Sequence, residues 1–250
     1  MKRIYLDQVD STQTYITELL PDNEPHEPVA VYTFNQLKGK GQANKKWISK
    51  PNAGIALSLA FPFPKSSEID WVLVNKHICS NIIIYLREHL HPDFFLKWPN
   101  DIVIHDRKFG GMIMNVVSKE NTQYLVLGLG LNLRQPPRLP LAIGLREILN
   151  KNQFDTLSFT SKLITFLKNT LEKKPSKKTS QQYTQLLWRL DESVEVQYVN
   201  KPQTESIHLP SHQKFIGVDH KGMALFHVKD HIIGSHSGTL SILLPPRKIH

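Results

Sequence analysis

The chain holds one cysteine in 250 residues, Cys79, so an internal disulfide framework is excluded. Cys79 falls in an apolar helical pattern, where an inert core thiol is expected. No apolar run reaches the roughly 20 residues that a membrane helix needs. Met1 to Asp7 carries no apolar stretch of signal-peptide length. A soluble chain in a reducing, cytoplasmic setting with no membrane partner is therefore expected. Several familiar signatures are also missing: there is no Gly-x-x-x-x-Gly-Lys-Ser/Thr loop, no complete dinucleotide fingerprint, and no Ser, His and Asp arrangement that announces a covalent nucleophile. The histidines are scattered. His227 and His231 lie four apart in β-like sequence with no cysteine pairs nearby, so no metal ligands are expected.

What is present fits a folded protein, with 40% hydrophobic and 21% charged residues and a length ample for a core. The formal net charge of +9 is unevenly spread. Lys38, Lys40, Lys45, Lys46 and Lys50 cluster in a span with no acidic residue between Glu27 and Glu68. A second cluster, Lys173, Lys174, Lys177 and Lys178 around Pro175, reads as a solvated helix end or linker. The first is interleaved with Gly39 and Gly41 and followed by Gln42 and Trp47. Backbone N–H groups free to approach an anion, with cations to neutralise it, suit a phosphate-bearing ligand as well as they suit a solvated loop.

Lys97 to Asp101, Lys-Trp-Pro-Asn-Asp, places a cation, an aromatic plate, a rigid elbow and two polar side chains between apolar segments. Pro99 cannot donate to a sheet ladder and marks a strand end or bulge. Lys108 stands just before Gly110-Gly111, where a ligand could lie against the strand while the ammonium reaches its negative group. In Leu127 to Leu133, Gly128, Gly130 and Asn132 interrupt a continuous apolar strand. Such glycines invite a close approach to the backbone, and a buried Asn needs partners. Together these features describe a site for an anionic nucleotide and a small apolar partner, with lysines rather than an acid–base pair doing the chemistry.

The periodicities predict helices beginning near Ser11 and over Ile69–Leu90, Thr156–Leu171 and Ser180–Trp188. Strands are predicted over Val29–Phe34, Gly54–Ala60, Phe94–Lys97, Ile102–Ile104, Gly110–Val117 and Tyr124–Leu133, with Asn35–Pro51 a long basic loop. From Ser193 onward short strands follow one another: Val194–Val199, Glu205–Leu209, Lys214–Val218, Ala224–Val228 and Leu240–Leu243. That texture predicts a small β-barrel or sandwich.

On Ser11-Thr12-Gln13, Gln36, Gly-Lys-Gly-Gln at 39 to 42, Trp47, Lys97 to Asp101, Lys108 with Gly110-Gly111, and Gly128-Leu-Gly-Leu-Asn132, taken in that order and spacing, the chain resembles the biotin protein ligases, of the type without an N-terminal DNA-binding domain. The resemblance implies an α+β fold. A mixed sheet with helices, like the core of class II aminoacyl-tRNA synthetases and biotin-lipoate ligases, would occupy residues 1–187, and an SH3-like β-barrel residues 188–250. It implies a two-step enzyme: biotin's carboxylate attacks the α-phosphate of ATP, with Mg²⁺ on the phosphates, and the biotinoyl-5′-AMP formed is attacked by a lysine of a biotin carboxyl carrier domain of the acetyl-CoA-carboxylase type. Lys108 and Lys40 would be catalytic. Ser11, Thr12, Gln13, Gln36, Gly39, Lys40, Gly41, Gln42, Lys108, Gly110 and Gly111 would hold biotin. Gln42, Lys45, Trp47, Lys97, Asn100, Asp101, Lys108 and Asn132 would hold ATP and the adenylate.

Departures from the family pattern accompany the likeness. Many relatives carry Gly-Arg-Gly-Arg-x-Gly where this chain has Gly39-Lys40-Gly41-Gln42-Ala43-Asn44, so both arginines and the last glycine are replaced: Lys40 keeps the charge without the bidentate fork, and Gln42 loses the charge altogether. Gln13, Asn115 and Arg134 also depart from the usual residues. These changes bear on retention of the adenylate and on rate more than on reaction type. With Ser11-Thr12 so near the start, no DNA-binding winged helix is expected, and the positive charge is assigned to ATP and acidic carrier domains. The residues leave open a lipoate or other acyl-acid ligase, a non-catalytic biotin- or nucleic-acid-binding protein, and the oligomeric state, a homodimer included.

Overall fold

The computed structural model describes residues 1–20, 27–42, 45–65, 68–119, 122–136, 139–149, 154–199 and 211–246. Its strands are β1 (Lys2–Tyr5), β2 (Val29–Thr33), β3 (Gly39–Lys40), β4 (Lys46–Trp47), β5 (Gly54–Pro64), β6 (Phe95–Lys97), β7 (Asp101–Ile104), β8 (Arg107–Ser118), β9 (Thr122–Asn132), β10 (Ser193–Tyr198), β11 (His212–Val218), β12 (Ala224–Val228), β13 (His231–Ser235) and β14 (Leu240–Ile242). Its helices are α1 (Thr12–Glu18), α2 (Trp71–His89), α3 (Leu145–Leu149), α4 (Thr156–Leu171) and α5 (Thr179–Gln185). The chain divides into one unit of residues 1–69 and 108–174 and another of residues 70–107 and 175–250.

In the first unit the sheet order runs β1-β2-β5-β9-β8. The β1–β2 pair is parallel and the rest are antiparallel, which makes the sheet mixed. β5 and β9 form its spine, in register from Gly54 opposite Asn132 to Pro64 opposite Thr122. Residues 54–60 are all buried, because this central strand is covered on both faces. On α1, Ile16 enters a buried cluster with Leu20, Val31, Ala60, Tyr124 and Val126. α4 presents Phe159, Leu163, Ile164 and Leu167 inward at helical spacing and starts from an Asp155 cap that accepts from the Ser158 N–H at 2.9 Å.

In the second unit α2 begins at Asp70, whose carboxylate accepts from the Leu73 N–H at 2.9 Å, and its buried residues include Ile78, Cys79, Ile82, Ile83 and Leu86. β6 and β7 form a hairpin, Phe95 opposite Val103 and Lys97 opposite Asp101. The remaining strands make an antiparallel sheet in the order β13-β12-β11-β10-β14, centred on the fully buried Phe215 and Phe226. Lys76 of α2 donates to the Asp219 and Val218 carbonyls at 2.8 and 3.4 Å, and so fastens the turn after β11 to the helix.

The predicted α+β class holds, and the predicted helices and most strands stand within a few residues of their expected ends. β1, α3 and β13 were not predicted. They are short, and in β1 and β13 mostly exposed, so their sequences lack the apolar alternation that reveals a strand. The basic loop 35–51 contains the two-residue hairpin strands β3 and β4. The strand expected over Glu205–Leu209 lies outside the described residues.

Candidate active site

The first unit brings most of the predicted site residues into one connected set. Ser11 is the N-cap of α1, buried, and its hydroxyl accepts from the Thr14 N–H at 3.4 Å. Thr12 and Gln13 follow in the first turn, also buried. Gln36 reaches them from the loop after β2: its Oε1 accepts from the Thr12 N–H at 2.9 Å and from the Thr12 hydroxyl at 3.2 Å. The Thr12 hydroxyl lies 2.9 Å from that of Ser58, which donates to Gln13 Oε1 at 3.1 Å, and Gln13 Nε2 donates to the Val126 carbonyl at 3.2 Å. A fully buried serine in β5 thus joins the two helix residues to the sheet. Ser58 was absent from the predicted set. The signal was legible, since a lone hydroxyl in the apolar run Ile55 to Ala60 needs partners as Asn132 does.

Gly39 connects this polar chain to the basic hairpin. A methyl group there would lie 2.5 Å from the Gln36 amide nitrogen and 2.7 Å from the Trp47 carbonyl oxygen, so only glycine lets the three meet. Opposite Gly39 in the β3–β4 ladder is Trp47, whose ring lies on Gly130: a methyl group on that glycine would sit 2.7 Å from indole Cε2. Gly111 is the cross-strand neighbour of Gly130, so two residues without side chains stand opposite each other in β8 and β9, with the Trp47 ring over Gly130. The Lys108 ammonium stands 5.8 Å from the Trp47 ring centroid. Its backbone is held on both sides, by N–H donation to the Leu141 carbonyl at 2.7 Å and by acceptance from the Asn132 side-chain amide at 3.3 Å. Asn132 is buried and holds the strand carrying Lys108 from one residue-width away.

Within the hairpin, Gly41 donates to the Lys45 carbonyl at 2.7 Å and Lys45 to the Gln42 carbonyl at 3.1 Å, closing the loop on its own backbone. Lys40 and Lys46 face each other across the ladder, two like charges that repel unless an anion lies between them. Lys38 is engaged with Asp10 at 2.8 Å, and that hydrogen bond and charge raise its pKa. Lys40, Lys45 and Lys46 are exposed and have no ion-pair partner among the described residues. Gln42 lies in the same turn. Ala43 and Asn44 fall outside the described residues.

Lys97, Asn100 and Asp101 belong to the second unit, at the turn of the β6–β7 hairpin. Lys97 is buried and pairs with Asp101 at 3.2 Å. The Trp98–Pro99 peptide is cis, and Trp98 is buried with its indole N–H donating to the Gly222 carbonyl at 3.1 Å. In this motif the aromatic plate anchors the turn to the loop before β12, a role that sequence alone did not assign. Cys79 is buried, and burial pushes its thiol up to about 12, which removes it as a nucleophile.

A model of the biotin/lipoate A/B protein ligase family matches residues 5–132. The bifunctional ligase/repressor BirA of Bacillus subtilis is 27% identical over 139 residues, 54% of this chain and 41% of that protein. A human biotin–protein ligase is 29% identical over 140 residues, 53% of this chain and 19% of that protein. The matches therefore span less than half the length of these sequence relatives. Among solved structures, the biotin protein ligase of Aquifex aeolicus in complex with biotin and ATP superposes with a TM-score of 0.75 at 24% identity, covering 98% of this chain and 99% of that one. The ligase of Leishmania major in complex with biotinyl-5-AMP gives 0.62 at 16% identity, covering 94% and 99%. At these identities the likeness is one of fold.

Proposed function

The chain belongs to the biotin/lipoate A/B protein ligase family, and from that premise we propose that it joins biotin to protein in two steps. In the first, a biotin carboxylate oxygen attacks the α-phosphorus of ATP, the bond to the β-phosphate oxygen breaks, and pyrophosphate leaves with Mg²⁺ as part of the nucleotide substrate. In the second, the amine of a carrier-domain lysine attacks the biotinoyl carbonyl and AMP leaves. The nucleophiles come from substrate and acceptor, so no activated Ser or Cys is required of the enzyme.

One observation carries the reading: Lys108, Trp47 and the Gly111–Gly130 patch adjoin the buried Gln36–Thr12–Ser58–Gln13 chain through Gly39. Strand backbone without side chains at Gly111, beside the Trp47 ring on Gly130, accepts a flat apolar ligand, and the buried amides and hydroxyls offer donors and acceptors to a ureido ring. Two anions must meet in the first step, so a cation has to offset their repulsion and the charge that builds on the phosphate oxygens. Lys108 supplies it from a strand whose backbone is held on both sides, with its ammonium beside the Trp47 ring. Lys40 and Lys45 supply more from a hairpin whose like charges are relieved when phosphate enters. In the second unit Lys97, Asn100 and Asp101 are assigned to the nucleotide on the family resemblance. Biotin-dependent exchange of labelled pyrophosphate into ATP tests the first step without any acceptor. Exchange with biotin and none with lipoate supports the proposal; exchange with lipoate alone replaces biotin as the substrate, and none with either removes adenylation.

A further inference from the structure

His91, Asp93 and His105 converge in the second unit from two separate segments, the loop after α2 and the turn after β7. His91 Nδ1 lies 3.8 Å and His105 Nε2 3.7 Å from the same oxygen, Asp93 Oδ2, and the three ligand atoms all fall within 4.8 Å of one another. Neither gap is a hydrogen bond, for which about 2.7–3.2 Å would be required. Both are close to the roughly 3.3 Å that separates two ligands on one tetrahedral zinc ion with bonds of about 2.0–2.1 Å. The Asp93 N–H lies 3.3 Å from His91 Nδ1, so that nitrogen faces Asp93. The imidazole rings stand edge to face at 78°, so they do not stack over each other. His105 is held in the left-handed region at φ 48°, an uncommon conformation for a non-glycine residue.

We propose that His91, Asp93 and His105 form a binding site for a borderline divalent transition cation of the zinc class. Two imidazoles with one carboxylate select Zn²⁺, Ni²⁺ or Cu²⁺ over Mg²⁺ and Ca²⁺, which take oxygen ligands. All three side chains reach solvent, so water completes the coordination shell. The site lies at the open end of the β6–β7 hairpin: Asp93 precedes β6 by two residues, His105 directly follows β7, and Lys97 to Asp101 form the closed end. An ion there staples the hairpin's two strands where no turn joins them. The site owes nothing to the ligase reading and stands or falls separately.

The test is calorimetric titration of the untagged, chelator-stripped full chain with Zn²⁺, beside His105→Ala, Asp93→Asn and His231→Ala, with Co²⁺ absorption as a second probe. Expected are one Zn²⁺ per chain, binding weakened at least tenfold in His105→Ala and Asp93→Asn and unchanged in His231→Ala, and Co²⁺ ligand-field bands that Zn²⁺ displaces. No saturable uptake, or equal uptake by wild type and His105→Ala with both chains shown folded by circular dichroism, overturns the site.

Discussion

Lys108 carries the account at the scale of single residues, because its ammonium lies 5.8 Å from the Trp47 ring centroid on the strand that also carries Gly111, with its backbone held on both sides. Replacing it with alanine should lower biotin-dependent pyrophosphate exchange about 10²–10³-fold, the range seen when one charge-stabilising donor is removed. Since the side chain is partly exposed, Tm should hold; a collapse of Tm would assign Lys108 to the fold instead. Gly130 makes a different kind of statement. A methyl group there meets the Trp47 indole at 2.7 Å, so Gly130→Ala should displace the ring and raise KM for ATP more than it lowers kcat. An unchanged KM for ATP would show that Trp47 does not serve the nucleotide. Cys79 should resist a thiol reagent in the folded protein and react once denatured, because burial holds the thiol near 12 and away from solvent. Rapid reaction under native conditions would contradict that.

At the scale of elements, the join between α1 and the sheet rests on Ser58. Ser58→Ala removes the partner of the Thr12 hydroxyl and of Gln13 Oε1 in a buried place, and should cost about 1–3 kcal/mol in urea unfolding. Stability equal to wild type would mean that water or a rotamer change takes over. Elements were legible where burial writes a period into the sequence: α2 and α4 by their helical spacing, β5 and β9 by continuous apolar runs. β1 and β13 were not, because strands with little buried surface carry no such pattern. The site was half legible. Gly39, Gly130 and Lys108 stood out as chemistry in unexpected places, yet what each touches depends on pairings across the fold. Gly39 opposite Trp47 could not be read from spacing alone. The His91, Asp93 and His105 cluster escaped for the same reason, its members being joined by a hairpin rather than by sequence interval.

Across the whole molecule, the charge of +9 is a claim about partners rather than about the fold. No helix among the described residues is long and apolar enough to cross a membrane. The proposed acceptor is an acidic carrier domain, so kcat/KM for it should fall as salt rises and the Debye length drops below about 10 Å. A rate for biotin adenylation that falls equally would place the salt effect at the nucleotide instead. The central claim is transfer, and intact mass spectrometry of an apo biotin-carrier domain incubated with the protein, ATP, Mg²⁺ and biotin tests it most directly, with Lys108→Ala and a lipoyl-domain acceptor alongside. The account predicts one biotinyl mass on the carrier lysine, little with Lys108→Ala, and none on the lipoyl domain. Biotin bound by the protein with no mass gained by any carrier would contradict it.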